Sequence, residues 1–136
     1  MTDLREQFAT VLAEFGELMD VRLTMGDENE CWLEVDGTVD IRLAFDAEND
    51  AVVLWSPAGS LPADAAASGL AHRLLALCGD ADASCGFILG MDGETRSLGI
   101  WGECPVTWLY SVGRIADWLE RLVALQDRVH KEFAGR

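Results

Sequence analysis

The chain has 136 residues, room for one real hydrophobic core and not for two. Half of them are hydrophobic, which sets it among globular rather than disordered chains. With 24 acidic against 10 basic residues, a net charge of −14, it lacks the clustered Lys and Arg that nucleic acid or an anionic membrane surface demands.

In chain order, Leu4, Phe8, Val11, Leu12, Phe15, Leu18 and Met19 recur at intervals of three and four. They predict a first helix of about four turns with one apolar stripe. The opening MTDLR is charged, unlike a secretory signal, and no stretch reaches the length of a membrane span, so a cytosolic protein is expected. The acidic GDENE (26–30) marks a turn. CWLEVDGTVDIRLAF then reads as two strands joined at Asp36-Gly37, a strong hairpin signal. Val39, Ile41, Leu43 and Phe45 take one face of the second strand, Asp40 and Arg42 the other. After the polar DAEND (46–50), AVVLW (51–55) makes a third strand, closing an antiparallel meander.

AVVLW is apolar on both faces: Val52 and Leu54 point one way, Val53 and Trp55 the other. Something must cover the second face. Pro57, Gly59 and Pro62 are expected to end this strand. ADAAASGLAHRLLALC (63–78) reads as a second helix with Leu70, Leu74 and Leu77 on its stripe and Gly79 as its cap. GFILGMD (86–92) and TRSLGIWG (95–102) read as two further strands meeting at Asp92-Gly93. The last helix, 111–133, carries Ile115, Trp118, Leu119, Leu122, Leu125, Val129 and Phe133, with Ser111 as N-cap. The order α-β-β-β-α-β-β-α predicts a single α+β domain over 1–136, a twisted antiparallel sheet packed with three helices.

Motifs for chemistry are weak. Cys31, Cys78, Cys85 and Cys104 form no Cys-x-x-Cys pair, so a zinc site is not expected and buried apolar thiols are. His72 and His130 fall within helices, with no sequence reason to activate a thiol. DAENDA has acidic residues at calcium-loop spacing, but Ala51 stands at the glycine position and Pro57 at that of the closing Glu. Gly86, Gly90 and Gly93 do not lead a strand into a helix, so they imply no phosphate turn. No cofactor, metal or catalytic residue is expected. The informative feature is surplus apolar surface: Trp32, Trp55 and Trp101 cannot all share the core-facing sides of their strands.

The ordered combination resembles the class I chaperones of bacterial type III secretion, the family that includes the Tir chaperone. LAEFGELMDVRL resembles the family's first helix and exit, and CWLEVDGTVDIRLAF its first hairpin. LWSPAGSLP followed by HRLLALCGD resembles its third strand, Leu-Pro entry and second-helix end. LGIWGECPVTWL before a long amphipathic helix resembles its close. Cys78 stands where the family often has Asn, and Trp101 and Cys104 are unusual there.

The resemblance implies a homodimer in the bacterial cytoplasm that binds the N-terminal segment of a secreted effector. It would keep the effector soluble and secretion-competent by apolar grooves and strand addition, without nucleotide hydrolysis. Phe8, Val11, Phe15, Trp32, Val53 and Trp55 are the expected effector-binding residues; Ala67, Leu70, Leu74 and Phe87 are expected at the two-fold interface. Two other readings stay open. One is a chaperone-fold protein binding a non-effector cytosolic partner, such as a regulator or secretion component. The other is a small thiol enzyme.

Overall fold

The computed structural model describes residues 3–20, 23, 26, 29–35, 39–64, 69–79 and 86–134. Helix α1 spans Leu4–Leu18. Asp3 caps it, its carboxylate accepting from the Arg5 backbone N–H at 3.0 Å. Phe8, Leu12 and Phe15 fall on its buried side, and Asp20, in the left-handed region at φ 59°, carries the chain away from the helix.

Strands β1 (Glu30–Val35), β2 (Val39–Asp46) and β3 (Ala51–Ser60) form the meander. The turn at Asp36-Gly37 lies outside the described residues, but Val35 pairs with Val39 across it. DAEND closes as a turn in which Asp46 accepts from the Glu48 N–H and the Asn49 amide. After helix α2 (Leu70–Gly79) come β4 (Ile88–Met91), β5 (Ser97–Pro105), a single 3-10 turn (Val106–Trp108) and helix α3 (Val112–Ala134). Ser111 caps α3, its Oγ accepting from the Arg114 N–H at 3.3 Å. The five strands lie in the order β1-β2-β3-β5-β4, every pair antiparallel. The chain is thus α+β, in the element order expected.

Two elements differ from the sequence reading. Strand β3 does not stop at Pro57 but runs to Ser60. Its ladder with β2 ends at Trp55, so beyond that point only β5 pairs with its backbone as a strand, and the register shifts between Pro57 and Gly59. A proline is tolerated where one side of the strand is unpaired and a bulge takes up the misfit. The second helix starts at Leu70, not 63: Ala63 and Asp64 form a turn, and Gly69 has φ 79°, which no helix can include.

The core fills one face of the sheet. Ile41, Leu43, Val52, Leu54 and Ile100 meet Phe8 and Leu12 of α1, Leu70 and Leu74 of α2, and Ile115, Leu119, Leu122, Leu125 and Val129 of α3. Arg73 of α2 is tied to Glu132 of α3, its Nε 2.7 Å from the carboxylate. Two polar side chains, Ser56 and Gln126, are buried among these. Gln126 donates through Nε2 to Ser56 Oγ and to the Pro57 carbonyl, each at 2.9 Å, and Ser56 donates to the Asp40 carbonyl at 2.6 Å. The bulge in β3 is therefore pinned from the α3 side.

Candidate functional site: an exposed aromatic band and two apolar clefts

Strand alternation sends Val52 and Leu54 inward and leaves Val53 and Trp55 on the opposite, outer face. Register then lines up one row across all five strands of that face. Trp32 pairs with Arg42, Arg42 with Trp55, Trp55 with Trp101, and Trp101 with Ile88. The outer members remain exposed: Trp32 to 52%, Trp101 to 38% and Ile88 to 68%. Trp32 meets Trp55 edge-on, with ring centroids 6.0 Å apart at 83°.

The neighbouring row explains how two large indoles fit side by side. A Cβ at Gly90 would stand 2.8 Å from Trp101 Cζ3; one at Gly99 would stand 2.8 Å from Trp55 Nε1 and 2.9 Å from Trp101 Cη2. The rings lean over backbone that has no side chains. Polar groups border the band. Arg42 is held by Glu30, its Nε 2.8 Å from the carboxylate, while Glu34, Asp40 and Glu103 take part in no ion pair among the described residues.

Apolar clefts open on the helical side. The first, of about 300 Å³, lies between α1 and α3 at the end of β1 and is lined by Phe15, Met19, Val35, Ala116, Leu119 and Val123. It adjoins the free edge of β1, which pairs with no strand but β2 among the described residues. The second, of about 240 Å³, lies between α2 and the β4–β5 hairpin, where Leu74, Leu75, Leu89, Met91 and Leu98 meet. Leu75 and Met91 are exposed there, to 69% and 48%.

The expected site residues fall into three groups. Trp32, Val53 and Trp55 share the outer face. Phe8 and Phe15 are buried in the protomer core with Val11 packed partly beside them; Phe15 floors the first cleft, while Phe8 and Val11 line a third, of about 470 Å³, between α1 and the 3-10 turn with Val106, Leu109 and Tyr110. Of the expected two-fold residues, Leu70, Leu74 and Phe87 are buried within the protomer, and Ala67 lies outside the described residues. Phe87 packs over Gly102 and stacks on Trp118, centroids 6.3 Å apart. Sequence reading omitted Met19, Leu75, Ile88 and Met91. Each sits on an apolar stripe or strand and differs from its neighbours only in being left exposed.

The described thiols are not set up as nucleophiles. Cys31 and Cys104 are buried. Burial pushes the Cys104 pKa above the usual thiol value, and the nearby Arg114 guanidinium only partly opposes this. An activated thiol needs the opposite shift. No cluster of three His, Cys, Asp or Glu among the described residues could hold a metal ion, and no described helix is long and apolar enough to cross a membrane.

The profile of the Tir chaperone protein (CesT) family matches residues 10–129. The chain belongs to that family. Solved structures of similar fold include one from the HopA1–SchA chaperone–effector complex, at TM-score 0.70 and 18% identity, with 96% of this chain and 97% of that one covered. A second is from the ExoT–SpcS complex of Pseudomonas aeruginosa, at TM-score 0.63 and 23% identity, with 94% and 98% covered. A third is from the Yersinia pestis type III secretion chaperone SycH in complex with a stable fragment of YscM2, at TM-score 0.61 and 16% identity, with 91% and 98% covered. Comparison with curated protein sequences gives no match. In this CesT-family chain the unusual residues of the last strand are accounted for: Trp101 belongs to the outer band and Cys104 to the core.

Proposed function

We propose that this protein is a cytoplasmic, homodimeric chaperone that holds the N-terminal segment of a type III secreted effector and catalyses no reaction. The observation that carries the reading is the edge of β1, paired with no strand but β2 among the described residues, lying beside the apolar cleft of Phe15, Met19 and Val35 in a CesT-family chain. A segment without tertiary structure has unpaired backbone groups and exposed apolar side chains. The strand edge takes the first and the cleft takes the second. Binding alone keeps such a segment soluble, so nucleotide chemistry is not required. Ordering it costs several kcal/mol, so more than one apolar surface must contribute. Chaperone–effector and related complexes among the structural neighbours support the same reading.

The two-fold axis of this proposed dimer would run at the second cleft. Leu75 and Met91 are exposed large apolar side chains at the rim of α2 and β4, the region where the family resemblance puts the dimer contact.

The test is co-purification from the cytosol of a secreting culture with tagged wild type and with Met19→Asp. Met19 is exposed, so the change leaves the core intact. One dominant exported protein, held through its N-terminal segment and lost in the variant, is the expected result. No partner, or several unrelated ones, would overturn the reading. One dominant partner that is never exported would replace the effector by a regulator or secretion component.

A further inference from the structure

Resting on that chaperone reading, we propose that the outer face of the sheet is a platform for a second segment of the partner: an amphipathic helix whose apolar stripe is flanked by Lys or Arg. The helix lies across the strands, from Trp32 on β1 to Ile88 on β4.

The shape of the occupant follows from what the face offers. Along the row Trp32–Arg42–Trp55–Trp101–Ile88 the strands β2, β3 and β5 are each paired on both sides, so the face presents side chains there. An extended segment laid against indole rings would leave its own N–H and C=O groups unpaired, whereas a helix satisfies them internally. The band crosses four strand spacings, about 19 Å. A helix covers that length with about 13 residues, three to four turns bearing one apolar stripe.

The charge of the occupant follows from the borders. Glu34 and Asp40 stand along one side of the band and Glu103 along the other, all exposed and without an ion pair among the described residues. The cation inside the band, Arg42, is already committed to Glu30. Carboxylates on both sides call for basic residues on both flanks of the stripe. The exposed ring of Trp101, leaning on Gly90 and Gly99, adds a π surface to which Lys and Arg are attracted. A second copy of this chain is disfavoured as the cover, because it would set like-charged borders against each other on two molecules of net charge −14.

The experiment uses a fluorescently labelled synthetic peptide of about 14 residues, with a Leu stripe flanked by Lys, titrated with the full-length protein and read by anisotropy. Controls replace every Lys by Glu, or place two prolines mid-sequence. The protein variant is Glu34→Lys, Asp40→Lys, Glu103→Lys combined, whose fold is checked by circular dichroism. The Lys peptide is expected to bind, with added salt weakening it. The triple variant should cost about tenfold or more in affinity, and both control peptides should fail.

The proposal is overturned if the Lys peptide does not bind, if the proline or Glu peptide binds as well, or if the triple variant is unaffected. Co-purification with the triple variant separates the two readings. An exported partner captured by wild type and undiminished in the triple variant would sink the platform alone. If wild type captures none, the chaperone reading falls instead.

Discussion

Trp101 rests on Gly90: a Cβ added to that glycine would stand 2.8 Å from ring atom Cζ3. The same geometry recurs inside the protein with a different outcome. A Cβ at Gly102 would stand 2.5 Å from Phe87 Cδ1, and Phe87 is buried and stacked against Trp118. Trp101 faces solvent and can swing away, so Gly90→Ala should cost less than about 1 kcal/mol and change tryptophan emission. Phe87 has nowhere to go, and Gly102→Ala should cost about 1–3 kcal/mol as overpacking. Urea titration of both variants checks the order. A larger loss at Gly90 would mean that the outer band, not the inner stack, limits stability.

Gln126 offers a second test of what holds β3 in place. Its amide serves both Ser56 and the Pro57 carbonyl, at the point where β3 loses its β2 partner. Gln126→Leu keeps the volume roughly but leaves the Pro57 carbonyl without its donor. The expected cost is about 1–3 kcal/mol in urea or thermal unfolding. Amide exchange should rise locally in Ser56–Ser60. A variant as stable as wild type would show that the bulge is fixed by β5 alone.

Much of this was legible in the chain. Alternation in AVVLW and VDIRLAF placed Val52, Leu54, Ile41 and Leu43 on one face, and the three-four spacing of α1 and α3 supplied their cover. What spacing cannot express is burial relative to distant elements. Phe8 and Phe15 are core residues that also line clefts, and a helical wheel cannot divide those two roles. Phe87 falls inside the strand predicted over 86–92, whereas the observed strand begins at Ile88, and only the β4–β5–β3 register reveals Gly102 beneath it. The row Trp32–Arg42–Trp55–Trp101–Ile88 has the same origin. Its members lie far apart in sequence and meet through register, a non-local property, while Gly90 and Gly99 carry no local sign of supporting indoles. Pro57 misled for a local reason, because a one-sided strand tolerates what a two-sided one rejects.

Cys104 gives a pH-dependent prediction. Burial raises its pKa above the usual thiol value, and Arg114 lowers it by a smaller amount. At neutral pH the thiol stays protonated, so iodoacetamide should label it slowly in the folded protein and readily in urea. Arg114→Ala should slow the labelling further. The native state holds its proton to a higher pH than the unfolded chain does. The stabilisation is therefore complete below the unfolded thiol pKa and is lost as pH rises through the native one. Unfolding midpoints should fall on the alkaline side, and Cys104→Ser should flatten that fall. Fast, selective labelling of Cys104 near neutrality would reopen the thiol-enzyme reading.

The dimer prediction turns on two adjacent leucines. Leu74 is buried at 5% exposure, Leu75 exposed at 69%. An Asp at Leu74 would bury a charge in the protomer and unfold it, so that variant says nothing about association. An Asp at Leu75 can turn to solvent at the cleft rim in the monomer but meets an apolar partner at the proposed two-fold contact. Leu75→Asp should therefore keep the circular dichroism and melting profile of a folded chain while sedimenting at half the mass of wild type. Because dimerisation also stabilises by mass action, the melting temperature of wild type, but not of the variant, should rise with protein concentration. A Leu75→Asp protein that remains dimeric would move the two-fold axis off α2. The free edges of β1 and β4 would be the next surfaces to test.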